Sequence, residues 1–92
     1  MDIYGQVVEK IITEQEKIIG PIALEQARKV SGLTVDLQKH EVKIDGNKKD
    51  ILQKLVEQYQ HLFGQASVEV CKDAARDFVK KMPAGDVPSL IL

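Results

Sequence analysis

Ile3, Val7, Val8, Ile11, Ile12, Ile18, Ile19 and Ile22 recur at helical spacing along the start of the chain. At about 100° per residue these side chains sweep an arc of roughly 180°, whereas a helix packed on one neighbour needs a stripe of only about 100°. The spacing predicts a helix over residues 2–19 with more apolar face than one ordinary partner covers. Such a helix is either central to its own domain or shared with a second chain. Its polar side is Asp2, Gln6, Glu9, Lys10, Thr13, Glu16 and Lys17. Glu14 and Gln15 fall inside the arc, and a polar residue there can set register or oligomeric state. The burial habits of Glu and Gln instead place both at the rim, with Glu14 in reach of Lys10 or Lys17.

Gly20-Pro21 interrupts the pattern. Proline disfavours helical geometry in the residue before it and suits the first turn of a new helix. A second helix is therefore expected from Pro21 through Val30, in preference to one long helix kinked at Pro21. Ala23 and Ala27 would give it a small-residue face, and Gly32 would act as its left-handed C-terminal cap. Leu33, Val35 and Leu37 alternate with polar residues, as do Val42 and Ile44. This period of two around Gln38-Lys39-His40 predicts a short hairpin whose apolar side lies on the helices or pairs with a partner.

Asn47 is a suitable N-cap for a third helix, with Asp50 near the positive end of its dipole. Ile51, Leu52, Leu55, Val56, Tyr59, Leu62 and Phe63 form its stripe, and Gly64 stops it. Ser67 can cap a fourth helix with Val68, Cys71, Ala75, Phe78, Val79 and Met82 inward. Lys80 and Lys81 suit its C-terminal end, and Pro83-Ala84-Gly85 closes it. The predicted fold is thus all-α: a compact four-helix domain over residues 1–85 with a small β-hairpin between the second and third helices. Residues 86–92 form an apolar tail expected to dock on its own domain or on a neighbouring subunit.

Composition narrows the picture. Ninety-two residues make one domain, and a chain this short gains stability from a second subunit. The 43% apolar and 29% charged content is that of a globular chain. Its 13 basic and 14 acidic residues are well mixed, for a formal charge of −1. No basic stripe marks a nucleic-acid or anionic-membrane surface, which counts against both partners. The apolar runs are too short to span a bilayer, and the N-terminus lacks the pattern of a secretory leader. Cys71 is the only cysteine. It has no intrachain disulfide partner, which fits a cytoplasmic setting.

Reaction chemistry is sparse. Gly46-Asn47-Lys48-Lys49 lacks the first glycine of a phosphate-binding loop and reads as a capped turn. His40, with Glu41 or Asp36, is too small a set to be a metal site and reads as a solvated turn histidine. His61 flanks the third helix's stripe and is expected half-buried. Cys71 lies on an apolar face, where cysteine behaves as a small hydrophobe. Glu69, Asp73 and Asp77 share one face of the fourth helix with Lys72, Arg76 and Lys80 interleaved, as on a solvated salt-bridged surface. Tyr4 and Tyr59 read as amphipathic core-edge residues. The order of helices and hairpin is not that of a winged helix, and no helix gathers Arg, Lys and Asn on one face.

The segments Ile18-Ile19-Gly20-Pro21-Ile22-Ala23, Asp45-Gly46, Leu52-Gln53-Lys54-Leu55-Val56, Tyr59 and Leu62-Phe63-Gly64 resemble small uncharacterised helical modules. These modules carry a Gly-Pro-Ile-Ala turn and occur alone or appended to bacterial signalling proteins such as kinases and response regulators. The resemblance implies a regulatory or scaffolding role and brings no catalytic residue with it.

Taken together, these features predict a cytoplasmic protein-interaction module that forms a homodimer or binds another signalling protein, without catalysis, cofactor or metal. The surplus side of the first helix, Val8, Ile12 and Ile19, would form the contact, helped by Leu90, Ile91 and Leu92. A protein holding a small hydrophobic ligand between its helices is the alternative, and a nucleic-acid-binding helical domain the third reading.

Overall fold

The structure, a computed structural model, describes residues 2–92. It has four α-helices with a two-stranded antiparallel hairpin between the second and third. Helix α1 (Ile3–Ile19) starts where the Asp2 carboxylate accepts the backbone N–H of Gly5, and Gly20 ends it with φ 71°. After the Gly20-Pro21 corner, α2 spans only Ile22–Ala27. The expected continuation to Val30 fails because Lys29 and Val30 donate to the carbonyls three residues back, tightening the chain into turns. Gly32 is therefore not the cap of α2. It takes φ 84° in the turn entering the hairpin, where its carbonyl accepts Asp45 N–H.

Strands β1 (Leu33–Asp36) and β2 (Glu41–Ile44) pair with Leu33 opposite Ile44 and Val35 opposite Val42. The period of two thus puts all four apolar side chains on one face. Leu33 and Val35 are buried, and β2 lies along α1. Leu37 belongs to the turn, and His40 closes it at φ 53°.

Helix α3 (Lys48–Phe63) is capped by Asn47, whose side-chain oxygen accepts Asp50 N–H. Gly64, at φ 77°, is both the end of α3 and the residue from which α4 (Gln65–Val79) departs. Ser67 is therefore not a cap: it is buried inside α4, two residues beyond its start. Asp2 and Lys48 pair at the starts of α1 and α3, while Tyr59 near the end of α3 donates to Ala23 just past the end of α1. Helices α1 and α3 consequently run parallel. Helix α4 runs antiparallel to both, because Gln15 late in α1 reaches Ser67 early in α4.

Beyond α4 the chain turns back over the start of the bundle through two 3-10 turns, Ala84–Asp86 and Ser89–Ile91. Val87, Pro88 and Ile91 are buried against α3 and α4. The tail thus lies on its own domain.

Candidate interaction surface

The wide arc of α1 is covered by its own chain. Helices α2, α3 and α4 and strand β2 all pack on α1, so Val7, Val8, Ile11 and Ile12 reach zero exposure. This corrects the sequence reading of Val8 and Ile12 as contact residues: a fully buried side chain presents nothing to a partner. Of the other expected contact residues, Ile91 is buried, Ile19 and Leu90 are half-buried against the core, and Leu92 is exposed. The helix is central, the first of the two readings its arc allowed.

Gln15 also departs from expectation. It is wholly buried, with Nε2 donating to the Ser67 carbonyl at 3.0 Å and standing 3.4 Å from Cys71 Sγ. Its Oε1 has no protein partner among the described residues. Glu14 does sit at the rim, bonded to Lys10 and Lys17, which hold its carboxyl below the usual range. Burial pushes the neighbouring Cys71 thiol up to about 11, so at neutral pH it is protonated and a poor nucleophile. Tyr59 is not at the core edge but fully buried. Its hydroxyl donates to the Ala23 carbonyl at 2.7 Å, and burial raises its pKa further.

A cleft of about 530 Å³ lies between α1 and the hairpin turn, with Leu37 and Phe78 lining it and Glu9, Glu16 and His40 at its edge. His40 Nδ1 stands 2.9 Å from Glu9 Oε2, so its partner is on α1 and is neither Asp36 nor Glu41. Asp36 instead accepts the backbone N–H of Lys39. Both His40 and His61 are exposed, His61 more than its flank position suggests. Among the described residues no group of three His, Cys, Asp or Glu side chains could hold a metal ion, and no helix is long and apolar enough to cross a membrane.

Apart from Leu92, which is 67% exposed, the uncovered large apolar side chains among the described residues lie elsewhere. Ile18 is 64% exposed, Ile22 43%, Leu62 46% and Phe63 38%. They belong to the last turn of α1, the start of α2 and the end of α3, which the Tyr59–Ala23 and Gln15–Ser67 bonds bring to one end of the bundle. Residues 18–24 and 58–68, which supply these side chains, contain no Asp, Glu, Lys or Arg in a chain 29% charged; Lys17 and Glu25 border them, and Ile18 shares a cleft with Lys10, Glu14 and Asp73. The four side chains together expose on the order of 350 Å² of apolar surface. Periodicity alone counted Ile18, Leu62 and Phe63 as core. The usable signal was that each apolar run continues to its glycine, past the last turn that a neighbouring helix can cover, without a charge.

Comparison of the chain with protein-family models, with curated proteins and with solved structures yields no match.

Proposed function

We propose that this protein is a self-associating interaction module whose contact surface is the apolar end carrying Ile18, Ile22, Leu62 and Phe63. The observation that supports this is their gathering at one pole, inside two stretches without a formal charge. The occupant is a second copy of the chain. In a two-fold contact a residue close to the axis lies beside its own symmetry mate, so a charge there meets its like and repels. An uncharged surface escapes that penalty. The patch is small against the roughly 800 Å² per partner of a stable interface. The contact must draw in Pro21 and Ala66, both exposed at the same end, and belongs to the weak, reversible class. A regulatory or scaffolding role in cytoplasmic signalling is what the resemblance of the Gly20-Pro21-Ile22-Ala23 corner adds.

Sedimentation velocity from about 10 μM to about 1 mM covers the range of such weak contacts. The native chain is expected to shift toward dimer across it. Ile18→Glu with Phe63→Glu should stay monomeric with an unchanged helical spectrum. A native chain that remains monomeric throughout refutes the reading.

A further inference from the structure

At the opposite end of the bundle, residues 83–92 are built like a bound peptide, and this observation is independent of the self-association surface. The segment repeats one five-residue unit. Pro83 (φ −56°, ψ 139°) and Pro88 (φ −57°, ψ 141°) each take a polyproline conformation and each lead into a 3-10 turn. Its main-chain bonds are internal: Asp86 and Ile91 donate to Pro83 and Pro88, and Val87 and Leu92 donate to Ala84 and Ser89. No main-chain bond joins it to the helices among the described residues. It is held by buried Val87, Pro88 and Ile91 and by a few side-chain bonds. The Gln53 amide meets Ser89 Oγ at 3.4 Å and accepts Leu90 N–H at 3.3 Å, and the Tyr4 hydroxyl donates to the Asp86 carbonyl at 2.8 Å.

Open clefts flank the segment. A cleft of about 320 Å³ lies between the segment and the first turns of α3, and another of about 270 Å³ lies between Leu92 and the last turns of α4. Residues 83–86 are exposed and form the hinge at which the segment can lift, and lifting it uncovers Val87, Pro88 and Ile91. Lifting the segment also breaks no helical backbone hydrogen bond. A preorganised proline-containing strand anchored by alternate side chains and one amide is a common mode of peptide recognition.

We propose that the α3–α4 groove is a peptide-binding site, occupied in cis by residues 83–92, and that its external ligand is an extended peptide with Val-Pro-x-x-Ile spacing. Gln53 is the recognition residue, reading the backbone N–H three positions after the valine. The strap therefore acts as a competitor that an incoming peptide displaces.

The test uses the full chain and a fluorescein-labelled synthetic peptide of residues 83–92. In Ile91→Ser, which weakens the strap, the peptide is expected to bind saturably, at least about tenfold tighter than in the native chain, and adding Gln53→Ala should weaken it by about tenfold. A folded Ile91→Ser protein that does not bind the peptide overturns the proposal. So does a shift to dimer on sedimentation when Ile91→Ser is combined with Ile18→Glu and Phe63→Glu, which block contact through the other end, because the groove is then filled by the strap of a second copy. Amide exchange of the native chain guards against a variant that does not fold. The Leu90 and Ile91 amides should exchange at least about 100-fold faster than those of Leu55 and Val56, and equal protection overturns the proposal.

Discussion

Ile12→Ala and Ile18→Ala delete the same three carbon atoms from the same helix, yet their costs should differ several-fold. Ile12 is fully buried in a helix packed by α2, α3, α4 and β2, whereas Ile18 is 64% exposed. Returning three buried carbons to water costs about 2.4 kcal/mol at roughly 0.8 per carbon. The cavity left behind, of order 50 Å³ after partial relaxation, adds about 1.2 kcal/mol. Ile12→Ala should therefore lose roughly 3–4 kcal/mol, a large share of the 5–15 kcal/mol typical of a domain. At Ile18 only about a third of the transfer cost applies and no cavity forms. The better helix propensity of alanine offsets some of the rest, so the loss should be about 0.5 kcal/mol. Urea unfolding followed by circular dichroism, at a concentration low enough to hold the chain monomeric, reads both values from midpoints at constant slope. An Ile12→Ala variant within about 1 kcal/mol of the native chain would refute the placement of that side chain in the monomer core. A loss above about 2 kcal/mol at Ile18 would show that this residue is covered within one chain and is unfit to meet a partner.

Two further expectations follow from buried groups and turns. Burial raises the Cys71 thiol from 9.0 to about 11, so the folded chain keeps a proton that the unfolded chain releases. Its contribution is intact below about pH 9 and is lost as pH rises through 11, amounting to about 2–3 kcal/mol. Cys71→Ala should flatten the fall in urea midpoint between those pH values, and an unchanged slope would count against the thiol's burial. At Gly32 an added Cβ would meet the Asp45 carbonyl oxygen at 2.5 Å, while at Gly20 it meets nothing within 4 Å, although both have positive φ. Gly20→Ala should therefore cost about 1–2 kcal/mol from backbone strain alone, and Gly32→Ala clearly more. Thermal melts of the two variants that coincide would refute the steric reading.

The helices and hairpin could be read from the chain because their signals are local. Periods of 3.6 and 2, the Asn47 cap and the Gly20 and Gly64 stops each act within a few residues. Ser67 misled because a good capping residue competes with Gly64, whose left-handed backbone already turns the chain into α4. Val30 fell outside α2 because residues 28–30 must tighten to deliver Leu33 to the core. The surface was harder to read. Whether Val8 and Ile12 meet a partner or their own domain depends on how many elements surround α1, and a wheel drawn for one helix does not contain that number. Gln15 shows the same limit: its burial follows from α4 crossing α1 at Ser67, 52 residues away. The Glu9–His40 contact, 31 residues apart, has no sequence signature at all.

Because α1 and α3 run parallel and the strap folds back along α4, Asp2 and Leu92 both lie in the half of the bundle away from Ile22 and Phe63. Two copies joined through their apolar ends would carry all four chain ends outward, separated by roughly 50 Å, twice the length of a 17-residue helix. In that arrangement the module is a strut. Anything attached to either terminus would be held at a set distance from its counterpart, facing away from it, and association would count copies without bringing their cargo into contact.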